Sequence, residues 1–464
     1  MDLFIHVGGI LVAALVAAVI TGHLRRIWFL LASTFLYGAI DWRFPLLLSG
    51  IVGITYVAAL WLGGASRGPR GIISASALVL LPLATYKYFP VWFSGLEHWL
   101  PVSSLNFGGY GSVIVPVGLS FYSFVCCGYL IDVHRRSICP DKNPLRLALF
   151  VTFYPTLLSG PIERYGILAE RLWIGQRPSP DMVLNGVLMV AYGLFLKEVV
   201  SDRMGAAVDT AYALGSAGGA TGAWIAFGGF VVQLFADFAG YTLIAIGAGN
   251  LFGVSLTVNF RQPFFATSLT EFWQRWHISL TRWIGDYVYR PTAMILVRLT
   301  KWSRWWKEAT AMYVTWIAMG LWHGAEATFI LFGFIQATLM LAHKAIPENL
   351  LPGRGSMRRP ILGTTATMVA VLLSFGVIRA NGLDQYLNLL IGLVTFAPAT
   401  VTVEVSKIAL VGVAVMLTVE AGRHFSPDLV VRSVTTRAVL IILFFIMTFL
   451  FGYDGTRDFI YFRY

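Results

Sequence analysis

Apolar runs long enough to cross a lipid bilayer recur along almost the whole chain, and no other feature constrains the fold as strongly. A transmembrane helix needs about 17–25 mostly apolar residues. We assign such runs to residues 4–20, 27–40, 44–62, 72–89, 113–131, 181–200, 222–250, 361–379, 385–401, 406–420 and 438–453. Only 12% of the residues are charged, about half the fraction found in soluble domains. The sequence therefore predicts an all-α, polytopic membrane protein.

A further apolar run, residues 311–342, lies between the basic segments 259–310 and 344–359. Cytoplasmic loops of membrane proteins carry an excess of Lys and Arg, so we place both basic segments in the cytoplasm. The run has 32 residues, fewer than the ~40 that two full crossings need. It therefore predicts a shortened or broken hairpin with His323 near the turn. The alternative, a single tilted span, would place the two basic segments on opposite sides of the membrane.

The fold we expect is a single transmembrane domain covering residues 1–464. It has about 11 transmembrane helices plus re-entrant and interfacial helices, with the N-terminus outside. The formal net charge of +11 comes from Lys and Arg clusters between the apolar runs. This distribution sets membrane topology, so we expect no nucleic-acid partner.

Several kinds of chemistry are not indicated by any motif. The three cysteines form neither a CxxC pair nor a Cys/His ligand spacing, so we expect no bound metal. The sequence also lacks a Walker A loop and an HExxH pair. It therefore does not predict a P-loop nucleotide hydrolase or a zinc protease.

The stretch TSLTEFWQRWHISLTRWIGDY, residues 267–287, predicts one amphipathic helix. Ser268 followed by Glu271 is a helix start signal. An aromatic face that includes Trp276 and His277 lies opposite a charged stripe, as in helices that lie in the membrane interface. The stripe contains the i,i+4 pairs Glu271–Arg275 and Arg282–Asp286. His277 by itself is more typical of a hydrogen-bonded core histidine than of a catalytic one.

The stretch GLWHGAEATF, residues 320–329, places His323 and Glu326 in an apolar run. Ionisable groups at membrane depth are costly and usually mark function. Gly320 and Gly324 permit a close backbone approach or a helix break beside the histidine. A neutral imidazole can accept a proton, as a general base near neutral pH must. Glu326 either orients His323 or pairs with a nearby Arg.

These residues leave more than one class of function open. An acyl or glycosyl transferase would use a histidine as its base, whereas a transporter or flippase would use a histidine to relay protons. Secondary transporters often contain internal repeats, and none is visible in this sequence. Another acid in an apolar run, Asp237 in LFADFAGYT, is expected to have a structural rather than a catalytic role.

The two histidine-containing stretches together resemble a known family. TEFWQRWHISLTRWIGDYVYRP followed by GLWHGAEATF is similar to the signature of the membrane-bound O-acyltransferases, in the branch that modifies bacterial polysaccharides. That branch includes alginate O-acetylation proteins and teichoic acid D-alanyl transferases. Similar matches are TYKYF (85–89), PVGLSFYSF (116–124), SGPIERY (159–165), GLFLKEVVSD (193–202), LFADFAGYTLIAIG (234–247) and FIYFRY (459–464).

The resemblance implies a ring of helices around a thinned centre, with a catalytic segment at about residues 259–342. It makes His323 the catalytic histidine and His277 its less reactive companion. The residues expected to bind or position substrate are Trp276, Trp322, Asp237 and Glu326. The chain departs from the pattern at Gly285, Ala327 and Leu243, where the family often has Arg, Trp and Asp.

The resemblance also implies a reaction. An acyl group, most simply acetyl, moves from a cytoplasmic thioester to a hydroxyl on the other side of the membrane. The donor is acetyl-CoA or the phosphopantetheine thioester of an acyl carrier protein, and no cofactor stays bound. The acceptor is an extracytoplasmic polysaccharide or a periplasmic acyltransferase partner. The expected location is the bacterial inner membrane, in contact with lipid. The alternatives are a transporter or flippase and a non-catalytic scaffold of a polysaccharide-export complex.

Overall fold

The structure, a computed structural model, describes residues 3–64, 68–96, 116–346, 358–426, 433–455 and 457–460. Parts of the predicted features lie outside these ranges, namely residues 113–115 of one apolar run, residues 347–357 of a basic segment and residues 461–464 of the C-terminal motif. In the described ranges all regular structure is helical, which confirms the all-α prediction.

The structure contains a series of helices along the chain. They are α1 (Leu3–Val19), α2 (Gly22–Gly38), α3 (Phe44–Gly64), α4 (Pro69–Leu96), α5 (Leu119–His134), α6 (Pro144–Thr152), α7 (Tyr154–Leu157), α8 (Tyr165–Ile174), α9 (Pro180–Leu194), α10 (Asp202–Leu214), α11 (Gly219–Trp224), α12 (Phe230–Leu251), α13 (Leu269–Arg275), α14 (Ile278–Ile284), α15 (Arg290–Leu299), α16 (Arg304–His323), α17 (Ala327–Ala345), α18 (Arg358–Arg379), α19 (Leu383–Val394), α20 (Lys407–Phe425) and α21 (Val434–Phe451). Wider π-helical turns cover Phe195–Ser201, Ile225–Gly229 and Gly285–Tyr289.

The described residues fall into two compact units. One contains the chain up to Val187 together with Ala245–Thr257, and the other contains Leu188–Ile244 and Val258–Ile460. In the first unit, buried Arg25 donates to the carbonyl oxygens of Gly175 at 2.7 Å and Phe252 at 2.8 Å. The second unit contains both predicted histidines. The assignment of the whole chain to one domain stays a prediction.

Seven helical segments in the described ranges are long and apolar enough to cross a membrane. They are Phe44–Gly64, Pro69–Tyr88, Pro180–Leu251, Ala327–Ala345, Pro360–Arg379, Lys407–Phe425 and Val434–Phe451. Each overlaps at least one predicted apolar run. The longest, Pro180–Leu251, contains two predicted runs, 181–200 and 222–250, and the glycine-rich 3₁₀ turn Gly215–Gly218 lies between them. The total of about eleven crossings stays a prediction.

One predicted span is wrong in length. The run at 385–401 forms only α19, a helix of 12 residues that ends at Val394, whereas a crossing helix needs at least ~17 residues. The backbone turns into the left-handed region at Phe396, with φ 51°. Pro398 follows two residues later, and proline has no N–H with which to continue a helix.

The predicted hairpin exists, but its arms are not shortened. α16 has 20 residues and α17 has 19, so each is about 30 Å long. The prediction failed because α16 begins inside the basic segment, at Arg304. There Glu308 pairs with Arg304 at 2.8 Å and with Lys344 at the far end of α17, so the charged residues are part of the hairpin.

The single interfacial helix predicted for residues 267–287 is wrong. The Ser268 cap and the Glu271–Arg275 pair, at 2.6 Å, are confirmed. However, the helix ends at Arg275 and restarts at Ile278, and its aromatic face is buried rather than facing lipid. Asp286 pairs at 2.8 Å with Arg290, and a π-helical turn begins at Gly285.

An exposed amphipathic surface lies instead just after this region. α15 has no buried residue, and the segment that follows exposes Trp302, Trp305 and Trp306. Exposed basic residues lie among these apolar groups, namely Arg298, Lys301 and Arg304. Tryptophan with Lys and Arg is typical of a membrane–water interface. We call residues 294–306 the basic-aromatic surface.

Candidate active site

His323 is the last residue of α16, and the turn Gly324–Glu326 separates it from α17. Its side chain is buried, with 8% of its surface exposed. Aromatic rings surround it: its ring centroid lies 4.6 Å from that of Trp322, 6.0 Å from Phe329 and 6.5 Å from Phe332. The structure thus places the predicted base in an aromatic environment at the tip of the hairpin.

The glycines beside His323 bring the two arms of the hairpin together. A Cβ atom on Gly320 would lie 2.2 Å from the carbonyl oxygen of Phe329, and a Cβ on Gly324 would lie 2.4 Å from the ring of the same residue. Only glycine permits this separation of the two helices. The pattern Gly-x-x-His-Gly therefore sets the distance between His323 and α17.

Replacing Gly320 by alanine is expected to lower the thermal midpoint of the purified protein in detergent, because overpacking against a backbone atom costs about 1–3 kcal/mol. Gly324→Ala should lower it less, since the ring of Phe329 can move aside. Gly422→Ala is the matched control, because no atom lies within 4 Å of its added Cβ. Equal midpoints for Gly320→Ala and Gly422→Ala would show that the close approach has no energetic role.

His277 lies in the break between α13 and α14 and has a left-handed backbone, with φ 43° and ψ 53°. This conformation is uncommon for a residue with a Cβ atom, and such strain is concentrated at functional sites. The side chain is 2% exposed, and the ring of Phe238 meets it edge-on at 4.5 Å. The position of His277 in the sequence did not reveal this break.

The segment before α13 holds the break in place. The carbonyl oxygen of Asn259 accepts from the N–H of Ile278 at 2.9 Å, and its side-chain Oδ1 accepts from the N–H of Ser279 at 3.0 Å. The N–H of Arg261 donates to the carbonyl oxygen of Arg275 at 2.9 Å. These bonds satisfy backbone groups that the helix break leaves without helical partners. Asn259, which is fully buried, was missed by the sequence analysis.

The two histidines are near enough to interact electrostatically. Burial lowers the pKa of His277 well below its ordinary value, and the neighbouring His323 lowers it further. Aromatic rings connect the two sites. Phe375 of α18 lies 5.4 Å from Trp276, which is also buried, and 5.6 Å from Phe332. The structure therefore brings His323, His277, Trp276 and Trp322 into one aromatic region.

Asp237 lies in a separate, buried charged cluster. Lys197 Nζ is 2.7 Å from Asp202 and 2.9 Å from Asp237, and the N–H of Ile460 donates to Asp237 at 2.8 Å. The next residue, Phe238, is the one that contacts His277. Asp237 is thus adjacent in sequence to a ring that contacts His277, and its expected role in positioning substrate stays a prediction. Lys197 and Asp202 were not proposed from the sequence, although a lysine inside the apolar run GLFLKEVVSD was a signal.

Glu326 does not join the aromatic region. It is exposed, and it is the residue that immediately precedes α17. The predicted role of orienting His323 stays a prediction. No group of three or more His, Cys, Asp or Glu side chains in the described ranges is arranged to hold a metal ion.

Comparison with known proteins decides the family. The profile of MBOAT, the membrane-bound O-acyltransferase family, matches residues 134–369, which include both histidines. The chain belongs to this family. This O-acyltransferase is therefore a polytopic membrane protein.

Named relatives of this O-acyltransferase fall into three groups. It is 30% identical to "Probable alginate O-acetylase AlgI" of Pseudomonas syringae over 77% of this chain and 68% of the relative. It is 26% identical to "Peptidoglycan O-acetyltransferase" of Helicobacter pylori over 80% and 73%. It is also 26% identical to "Teichoic acid D-alanyltransferase" of Bacillus subtilis over 61% and 71%.

Proposed function

We propose that this O-acyltransferase moves an acyl group, acetyl by preference, from a cytoplasmic thioester to a hydroxyl of an extracytoplasmic polysaccharide or of a periplasmic acyltransferase partner. The observation that carries the proposal is the buried His323 at the tip of a hairpin, beside His277, in a chain of this family. Relatives named for alginate, peptidoglycan and teichoic acid support a cell-surface polymer as acceptor. The corresponding location is the bacterial inner membrane.

In the proposed reaction His323 removes the proton from the acceptor hydroxyl. The hydroxyl oxygen attacks the thioester carbonyl carbon, the carbon–sulfur bond breaks, and the leaving thiolate receives the proton. His277 supports His323 from the adjoining break, and Trp276 and Trp322 form aromatic walls that exclude water. Asp237 and Glu326 position the surroundings rather than the reacting atoms. Exclusion of water favours transfer to the acceptor over hydrolysis of the donor.

The length of α16 supports access from both sides of the membrane. Its basic start at Arg304 and its end at His323 are about 30 Å apart, close to the thickness of the hydrocarbon core. A donor that docks at the basic end must send its acyl group into the protein to reach His323. An acceptor can then approach from the opposite side.

The test of this function is the ester-linked acyl content of the cell-surface polysaccharide in bacteria that carry the gene and in bacteria from which it has been deleted. We expect esters to disappear in the deletion strain while the polymer is still exported, and to return when the gene is restored. Mass analysis of the wild-type ester identifies the acyl group. Unchanged esters would contradict the proposal, and loss of the polymer from the surface would favour a transporter or an export scaffold.

We also propose that the basic-aromatic surface receives an acidic acyl carrier protein as donor, since complementary charge raises the rate of association. The double variant Arg298→Glu/Lys301→Glu is expected to raise the KM for the acyl carrier roughly tenfold and to leave kcat unchanged. The control is Lys142→Glu, which reverses one charge at an exposed position in the other unit. If the double variant leaves the KM for the carrier unchanged and the protein accepts acetyl-CoA, the donor is acetyl-CoA rather than an acyl carrier protein.

A further inference from the structure

The side-chain amide of Asn259 contains a buried hydrogen-bond donor that no described group satisfies. Asn259 has 0% of its surface exposed, and its Nδ2 has no hydrogen-bond partner among the described residues. An unsatisfied buried donor costs about 1–3 kcal/mol, and such groups are rare in folded proteins. A function for the Nδ2 group would explain why this cost is tolerated.

The orientation of the amide is fixed by its neighbours. Oδ1 accepts from the backbone N–H of Ser279 at 3.0 Å. Rotating the amide by 180° would place the Nδ2–H group against the N–H of Ser279, and this hydrogen bond would be lost. Nδ2 is therefore a donor held in place, and not a nitrogen that could exchange positions with the oxygen.

The amide belongs to the surroundings of His277. Asn259 bonds to the backbone of the two residues that follow this histidine. The ring of its neighbour Phe260 lies 5.2 Å from Trp276 and 5.2 Å from Phe238, and Phe238 in turn contacts His277. A donor here is pre-organised, since the same residue supports the strained backbone of the candidate site.

We propose that Asn259 is a further catalytic residue, whose Nδ2–H donates to the acyl carbonyl oxygen of the donor thioester. This inference rests on the proposed function. When the acceptor oxygen bonds to the carbonyl carbon, the carbonyl π electrons move onto oxygen, and Asn259 stabilises that negative charge. The carbonyl re-forms as the carbon–sulfur bond breaks, and the proton removed by His323 goes to the thiolate. Donors placed in this way act mainly on the transition state.

The variant Asn259→Asp separates catalysis from structure, because Asp keeps an oxygen for the N–H of Ser279 and removes the Nδ2 donor. We expect kcat to fall about 10²–10³-fold, with the KM for the donor little changed. A protonated Asp regains a donor, so its activity should rise as pH falls. Burial raises the pKa of a carboxyl group, which brings this recovery into a measurable pH range.

Gln336→Glu is the matched control, since Gln336 is also fully buried but its Nε2 already donates to Ser374 at 2.8 Å. It should show no activity gain at low pH relative to wild type. Wild-type kcat in a folded Asn259→Asp protein would overturn the inference. Wild type and His323→Ala are assayed in parallel. If wild type itself transfers no acyl group, the proposed function is wrong, and the result does not bear on Asn259.

A second measurement does not depend on Asn259→Asp folding. An acetyl thioester labelled with ¹³C at the carbonyl is bound to His323→Ala protein, in which transfer is blocked. Hydrogen bonding from Asn259 is expected to lower the carbonyl stretching frequency relative to the free thioester, as measured by infrared difference spectroscopy. A frequency equal to that of the free thioester would overturn the assignment of Nδ2 as the donor.

Discussion

Replacing His323 by alanine is expected to lower kcat for acyl transfer by ~10²–10⁴, the typical contribution of a general base. The ring is buried among aromatic groups at the end of α16, so its loss removes the proposed proton acceptor without exposing a new charge. The measurement is ester formation by the purified protein in liposomes, with thioester donor supplied on one side and acceptor on the other.

Two comparisons make the result specific to the proposed base. His277→Ala should lower kcat less than His323→Ala, because His277 is its expected companion. His343→Ala, a half-buried histidine near the other end of α17, should leave kcat unchanged. Membrane abundance and thermal midpoint are matched before rates are compared. If His323→Ala retained the kcat of His343→Ala, the catalytic assignment of His323 would be wrong.

The hairpin around His323 was largely predictable because its determinants are local. Gly320, His323 and Gly324 lie within five consecutive residues, and spacing alone indicated a close approach near a turn. The length of α16 was not predictable from hydropathy. It begins with a charged stretch in which Glu308 pairs with Arg304 one turn earlier and with Lys344 of α17.

The break at His277 was not predictable, because the hydrophobic periodicity of a segment carries no information about contacts from other segments of the chain. The aromatic positions from Trp273 to Tyr287 fit one continuous face, and the start signal at Ser268 is correct. The bonds on the two sides of the break come from Arg261 and from Asn259, which lies 20 residues before Ser279. A hydrogen bond from a residue so far away in sequence does not change the apolar periodicity of residues 267–287, so the pattern cannot reveal it. Burial of the predicted lipid-facing aromatics is also a tertiary effect.

The buried charged cluster was missed for a related reason. Lys197 and Asp202 are five residues apart across a π-helical turn, where ordinary α-helical spacing does not apply. Asp237 comes from another helix, α12. Taken by itself, Asp237 was expected to have a structural role, and nothing in its local sequence indicates that Lys197 would be its partner.

The buried cluster leads to the second large effect, the expected loss of folded protein when Lys197 is replaced by methionine. Lys197 is 2% exposed and lies between Asp202 and Asp237. Its removal would leave two buried carboxylates without their cation, and breaking a buried ion pair in this way costs about 3–5 kcal/mol. Membrane abundance and the thermal midpoint in detergent measure the loss. Lys142→Met, at an exposed position, should change neither.

A compensating variant tests whether charge balance is the cause. Lys197→Met/Asp237→Asn removes one of the two carboxylates, and the Asn oxygen can still accept from the N–H of Ile460. We expect this double variant to recover part of the thermal midpoint lost in Lys197→Met, because fewer unpaired charges remain buried. If the double variant is less stable than Lys197→Met, packing of the lysine stem rather than its charge holds this region together. If Lys197→Met is as stable as Lys142→Met, the cluster has no energetic role.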